Sequence, residues 1–205
     1  MKTIQLITIS VLFLLLAGNT HAQQGTVTMK LNYAAAVPLG TFKDFVGNTS
    51  FRGAGGEVMY HFNNKFSLGG AAGYQDFYQR YDRALYKLND GSDISAVVTN
   101  SLQTTPIMVK AQYNFLENSA VQPYVALGVG GNVVRYRQYL GEFADSKTSF
   151  GFAAVPEAGL FVPFRKQSSA GFNIGAAYNI MPYNYGDLKN LNSLGVKAGV
   201  SFILH

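Results

Sequence analysis

In residues 194–204, LGVKAGVSFIL, the apolar Leu194, Val196, Ala198, Val200, Phe202 and Leu204 alternate with Gly195, Lys197, Gly199 and Ser201, and only Ile203 departs. A side-chain period of two belongs to a β-strand whose faces meet different surroundings. A strand cannot satisfy its own backbone groups, so this one needs neighbours along its edges. The same period opens the folded chain, where Val27, Met29, Leu31, Tyr33 and Ala35 alternate with Thr28, Lys30, Asn32 and Ala34. The first and last stretches are therefore expected to pair.

Six more stretches carry the pattern, at residues 54–62, 66–74, 105–115, 124–133, 150–162 and 172–180. After Tyr74 the alternation slips at Asp76-Phe77, which predicts a bulge, and Pro156 predicts another. Asn63-Asn64 and Asn89-Asp90-Gly91 are hairpin-turn signals. Short connections at 63–64, 117–122 and 165–169 contrast with longer ones at 38–52, 84–100, 141–147 and 183–192. Eight alternating stretches, an even count, suit an all-β, eight-stranded antiparallel up-and-down barrel, whose closure removes every unpaired edge.

Composition decides which face looks outward. A soluble lipocalin-like or avidin-like barrel turns its apolar face in and a charged face out. Here only 13% of residues are charged, and the non-apolar face is mostly glycine, asparagine, serine and threonine. That is too little charge for a solvent-facing wall, but it suits the inside of a narrow barrel with lipid outside. The fold expected is thus a transmembrane β-barrel. Tyr and Phe near the strand ends should form the interfacial girdles, since the chain has no Trp.

Export is written at the start. Lys2, the apolar run at 4–17 and Thr20-His21-Ala22 read as a secretory signal over residues 1–22, leaving residues 23–205 as one outer-membrane β-barrel domain. The run falls short of the roughly 20 apolar residues a membrane helix needs. With no cysteine, neither disulfides nor a lipid-modified N-terminal cysteine is available. A formal charge of +5, or +4 without Lys2, is too small and scattered for nucleic-acid binding.

The stretches GAGGEVMYHF at 53–62, TPIMVKAQYNF at 105–115, YVALGVGG at 124–131, VPEAGLFVP at 155–163 and LGVKAGVSF at 194–202 carry a family likeness. They resemble the outer-membrane beta-barrel domain proteins of the OmpA-like, OmpW/OmpX-type and porin families, especially the small stand-alone barrels of Bacteroidetes. The resemblance spans the mature chain and implies a place in the bacterial cell outer membrane. The partners it implies are outer-membrane lipid, lipopolysaccharide and the barrel assembly machinery. It also makes Lys197, Gly199, Phe202 and Leu204 look like the C-terminal insertion signal of such barrels.

The inward parity of the strands carries Lys30, Glu57, Lys110, Glu157 and Lys197. With the first strand between the second and the last, Lys30 can reach Glu57, with Lys197 nearby. An unpaired charge in a narrow lumen is expensive, so two carboxylates facing three ammoniums are expected to pair as structural ions. A gated polar or proton pathway is the alternative. A hydrolase dyad of Glu57 and Glu157 lacks a supporting nucleophile and base, and no catalytic, cofactor or metal residues are assigned. Gly128-Val129-Gly130-Gly131 is followed by no helix to seat a dinucleotide.

Outside the lumen, the excursion at residues 75–99 is the best interaction candidate. Tyr78, Arg80, Tyr81, Arg83, Tyr86 and Lys87 are the side chains that would meet an extracellular protein, a glycan or lipopolysaccharide phosphates. A solvated hairpin extension is the plainer reading. The sequence thus points to a small structural or surface-interaction barrel without enzymatic activity, with a narrow porin-like channel as the alternative. An eight-stranded interior is just wide enough for side chains to fill, which favours the first.

Overall fold

The structure, a computed structural model, describes residues 25–87, 93–116, 119–141, 143–165, 170–186 and 188–204. The export signal expected at 1–22, the Asn89-Asp90-Gly91 turn and His205 lie outside the described residues. In chain order the strands are β1 (Thr26–Pro38), β2 (Ser50–His61), β3 (Phe66–Lys87), β4 (Asp93–Asn114), β5 (Gln122–Leu140), β6 (Phe143–Pro163), β7 (Gly171–Asn179), β8 (Pro182–Tyr185), β9 (Leu188–Asn190) and β10 (Ser193–Leu204). One short helix, α1 (Thr41–Phe45), follows β1.

Strands β1 to β7 and β10 form a closed antiparallel ring of eight, each beside its sequence neighbour, and β8 and β9 make a separate two-stranded sheet. The seam joins β10 to β1 from Val27 opposite Leu204 to Pro38 opposite Ser193. This is the eight-stranded up-and-down barrel that the alternation requires.

Four local expectations are corrected. Pairing of β3 with β4 runs in constant register from Gln75–Thr104 to Tyr81–Val98, so Asp76-Phe77 is no bulge; the irregularity falls between Tyr81 and Ala84. Phe77 is simply an inward residue that happens to be large, and it is buried. Pro156 causes no bulge either, because Leu127 of β5 still faces it in register. On its β7 side the ladder resumes beyond the missing N–H through paired Ala154–Ile180 hydrogen bonds of 3.0 and 2.8 Å. The loop expected at 141–147 is mostly strand, since β5 and β6 pair as far as Leu140 opposite Phe143. The loop expected at 183–192 contains most of the small β8–β9 hairpin.

The two faces differ as the parity demands. Outward positions are large and apolar; Val109 is 62% exposed and Phe150 77%. Aromatic pairs gather where β1 begins and β10 ends, called here the lower end: Tyr60–Phe62 at 4.9 Å, Tyr113–Phe115 at 5.4 Å and Phe164–Phe172 at 4.9 Å. Tyr33, Phe51, Tyr74 and Tyr178 are exposed towards the other end. Inward positions in the lower half are mostly polar and buried, including Thr28, Lys30, Asn32, Glu57, Ser67, Lys110, Gln112 and Glu157, with Met59 and Ala126 the apolar exceptions. In the upper half they give way to a cluster around Phe77, Leu102, Val134 and Tyr136.

Candidate functional site

Five strands bring the five inward charges into one connected chain. Lys110 sits at its centre, donating to Glu57 Oε1 at 2.7 Å and to Glu157 Oε2 at 2.9 Å. Lys197 donates to the same Glu157 oxygen at 2.9 Å, while Lys30 lies 3.8 Å from Glu57 Oε2. The order across the lumen is therefore Lys30, Glu57, Lys110, Glu157, Lys197. All but Lys197 are nearly sealed from solvent.

Polar side chains complete the layer. Tyr124 donates its hydroxyl to Glu157 Oε1 at 2.9 Å, and Asn32 donates to Glu57 Oε1 at 3.4 Å. Lys30 donates to Gln112 Oε1 and stands 5.3 Å over the Tyr124 ring. Below, the His61 ring lies between the Thr28 and Ser67 hydroxyls at 2.8 and 2.7 Å. Asn32, Gln112 and Tyr124 share the inward parity of the five charges, and that parity was the signal available for them. Both carboxylates are engaged by Lys110, and among the described residues no cluster of three or more His, Cys, Asp or Glu could hold a metal ion.

A second layer closes the upper half, and it is apolar. Phe42 and Val46, from α1 and its C-terminal edge, are fully buried, and Phe42 meets Phe77 edge-on with ring centroids 4.7 Å apart. Phe45 stacks on Tyr136 at 5.0 Å. Met181, Leu188 and Leu191, in and around the β8–β9 hairpin, fold into the same cluster. Hydrogen bonds anchor the helix: Tyr81 donates to the Asp44 and Phe45 carbonyls at 3.2 and 3.3 Å, and Asn100 donates to the Phe45 carbonyl at 2.8 Å. The hairpin is tied to β6, where the Tyr185 hydroxyl reaches both Asp145 oxygens at 3.0 Å, which raises the phenol above its ordinary pKa. Lys147 stands 4.1 Å over the Tyr185 ring. Between the layers a cavity of about 70 Å³ touches Asn32, Gln75, Thr104 and Lys197, room for a few waters.

Comparison with known proteins decides what kind of barrel this is. The family model for the outer membrane protein beta-barrel domain matches residues 8–202. The chain belongs to that family. No curated protein matches this outer-membrane barrel. Among solved structures it is similar to Neisserial surface protein A, at 18% identity and a TM-score of 0.51, over 88% of this chain and 97% of that one. It is also similar to the outer membrane protein OprG of Pseudomonas aeruginosa, at 16% identity and a TM-score of 0.50, over 88% and 96% of the two chains. The likeness is one of fold. Its place is the bacterial outer membrane, and the family sets the direction: short turns face the periplasm, longer connections the exterior. The lower end of this outer-membrane barrel is periplasmic, and the α1 and β8–β9 layer fills the outer mouth.

The outward candidates separate on this frame. Tyr78 is exposed on the outer wall with Arg52 stacked 5.6 Å from its ring centroid, and Arg80 and Arg83 are exposed. Tyr81 differs from these, because odd residues of β3 point inward up to this position and its hydroxyl donates to the α1 carbonyls. Tyr86 and Lys87 lie at the tip end of β3, paired with Ile94 and Asp93 through the backbone.

The four residues of the C-terminal candidate signal fall on both faces of β10. Lys197 enters the charged chain, whereas Phe202 and Leu204 are exposed on the lipid side. Gly199 marks a close approach at the seam: a Cβ there would stand 2.1 Å from the Leu31 carbonyl oxygen and 2.3 Å from Asn32 Oδ1. One of those is backbone and cannot swing aside. Gly199→Ala is therefore expected to strain the β1–β10 closure by about 1–3 kcal/mol. Heat-modifiable gel mobility would register this as a lower temperature for loss of the compact band, and an unshifted temperature would refute the close approach.

Proposed function

We propose that this barrel is a small structural or surface-interaction element of the outer membrane, without enzymatic activity and without an open pore. The observation that carries the reading is the double closure of the lumen, by a paired charge chain below and an apolar plug above. A continuous channel would need both layers to move. The long β3–β4 and β5–β6 hairpins offer surface beyond the lipid for an extracellular protein or glycan. On the periplasmic side, Phe202 and Leu204, presented on the lipid face of the closing strand, suit recognition by the barrel assembly machinery.

Planar-bilayer recording on the purified barrel tests the proposal. The expected result is a flat current trace across the voltage range that membranes tolerate. Stable, ion-selective steps would support the narrow-channel reading instead, with the cavity between the layers as part of its path.

A further inference from the structure

Three strands build a trough on the outer wall, just above the apolar band. Its floor is β4, where Thr99, Ser101 and Gln103 face outward and are half-buried. Register sets each floor residue between two neighbours: Gln103 between Asp76 and Arg135, Ser101 between Tyr78 and Arg137, Thr99 between Arg80 and Tyr139. Apart from the half-buried Asp76, the walls are exposed. Neighbouring strands lie about 4.8 Å apart, so the two walls stand about 10 Å from each other, wide enough to take a phosphate with guanidinium groups on both sides.

Within these three rows the charge is mainly positive, with the exposed Asp82 two residues beyond Arg80 on β3. Arg52 lies 3.4 Å from Asp76, the single wall carboxylate, and so already offsets it. Arg80, Arg135 and Arg137 remain, on a wall whose floor offers hydroxyl and amide groups for a sugar. Further down the same strand, Ile107 is 61% exposed and Val109 62% exposed, so a lipid-facing apolar wall continues directly from the trough. An occupant with clustered phosphates on sugar above and acyl chains below matches both parts. A soluble polyanion matches only the upper one.

We propose that this trough holds the phosphorylated sugar headgroup of lipopolysaccharide, with its acyl chains lying over Ile107 and Val109. Guanidinium groups bind phosphate through paired hydrogen bonds and work best beside a membrane surface.

The test uses the full barrel in phosphatidylcholine vesicles doped with diphosphoryl lipid A, counting lipid A retained per barrel after detergent extraction, by mass spectrometry. Arg135→Gln with Arg137→Gln is expected to lower retention about tenfold. Lys43→Gln with Arg165→Gln, which removes the same charge elsewhere, is expected to leave it unchanged, and compact gel mobility confirms that both variants fold. Dephosphorylated lipid A should be retained no better by the native barrel than by the trough variant. Equal retention by native and trough variants would overturn the proposal. So would retention indifferent to the lipid phosphates, or binding of a soluble sulfated polysaccharide with no lipid A retained.

Discussion

Glu157→Ala is expected to destabilise the barrel by about 3–5 kcal/mol, the usual consequence of stripping one partner from a buried ion pair. Glu157 receives Lys110 and Lys197 on one oxygen and Tyr124 on the other, all at 2.9 Å. Its removal leaves three ammoniums facing one carboxylate, and Lys110, 2% exposed, cannot reach water. Glu57→Ala should also lower the melting temperature but by less, because Glu57 takes one ammonium within hydrogen-bond reach, Lys110 at 2.7 Å, with Asn32 at 3.4 Å and Lys30 at 3.8 Å, where Glu157 takes two ammoniums and a phenol. Glu157→Gln, which keeps an acceptor for the ammoniums, should fall between native and Glu157→Ala. Urea unfolding in lipid vesicles orders the variants by midpoint. An unmoved midpoint together with new conductance would make the charge chain a gated polar pathway rather than a strut.

The strength of that expectation comes from how fully the lumen was legible in the sequence. Strand parity alone places Lys30, Glu57, Lys110, Glu157 and Lys197 inward, because a period of two leaves no other choice once the apolar face is given to lipid. The register then brings them together: Lys30 pairs with Glu57 directly across β1 and β2. Phe77 was harder. It shares the inward parity, but a large apolar residue among polar inward neighbours reads as a slip until its partner Phe42 is known. The mouth layer was harder still. Phe42, Phe45 and Val46 have the i, i+3, i+4 spacing of a helix face, yet five residues are too few to signal one above the surrounding Gly, Asn and Thr. Met181, Leu188 and Leu191 alternate with nothing, since they are buried by folding back rather than by strand pleat. The outer trough was legible on its β3 wall alone, where Tyr78 and Arg80 stand among the outward candidates. Tyr78, Ser101 and Arg137 belong to three strands, and only the register makes them neighbours.

That contrast also predicts how the two layers fail. Phe42→Ala should open the mouth without unfolding the barrel. α1 is a five-residue helix, far too short to persist alone, and its N-cap makes no side-chain hydrogen bond. It is held by Phe42 against Phe77, by the Val46 side chain, and by the Tyr81 and Asn100 hydrogen bonds to its carbonyls. Truncating a fully buried Phe typically removes about 3–5 kcal/mol, more than a segment this short can spare, so the loss should appear as local opening. Lys43 supplies the readout: it is exposed, but the bond after it lies within α1 and reaches a protease only when the helix unwinds. Trypsin should cut there about a hundredfold faster in the variant, while compact gel mobility stays native. Conductance should remain absent, because Lys110 still bridges Glu57 and Glu157 below the opened mouth. Cleavage at the native rate would mean that the mouth layer does not depend on Phe42. A pore opened by Phe42→Ala alone would mean that the charge chain does not close the lumen, and that the apolar plug is the whole of the seal.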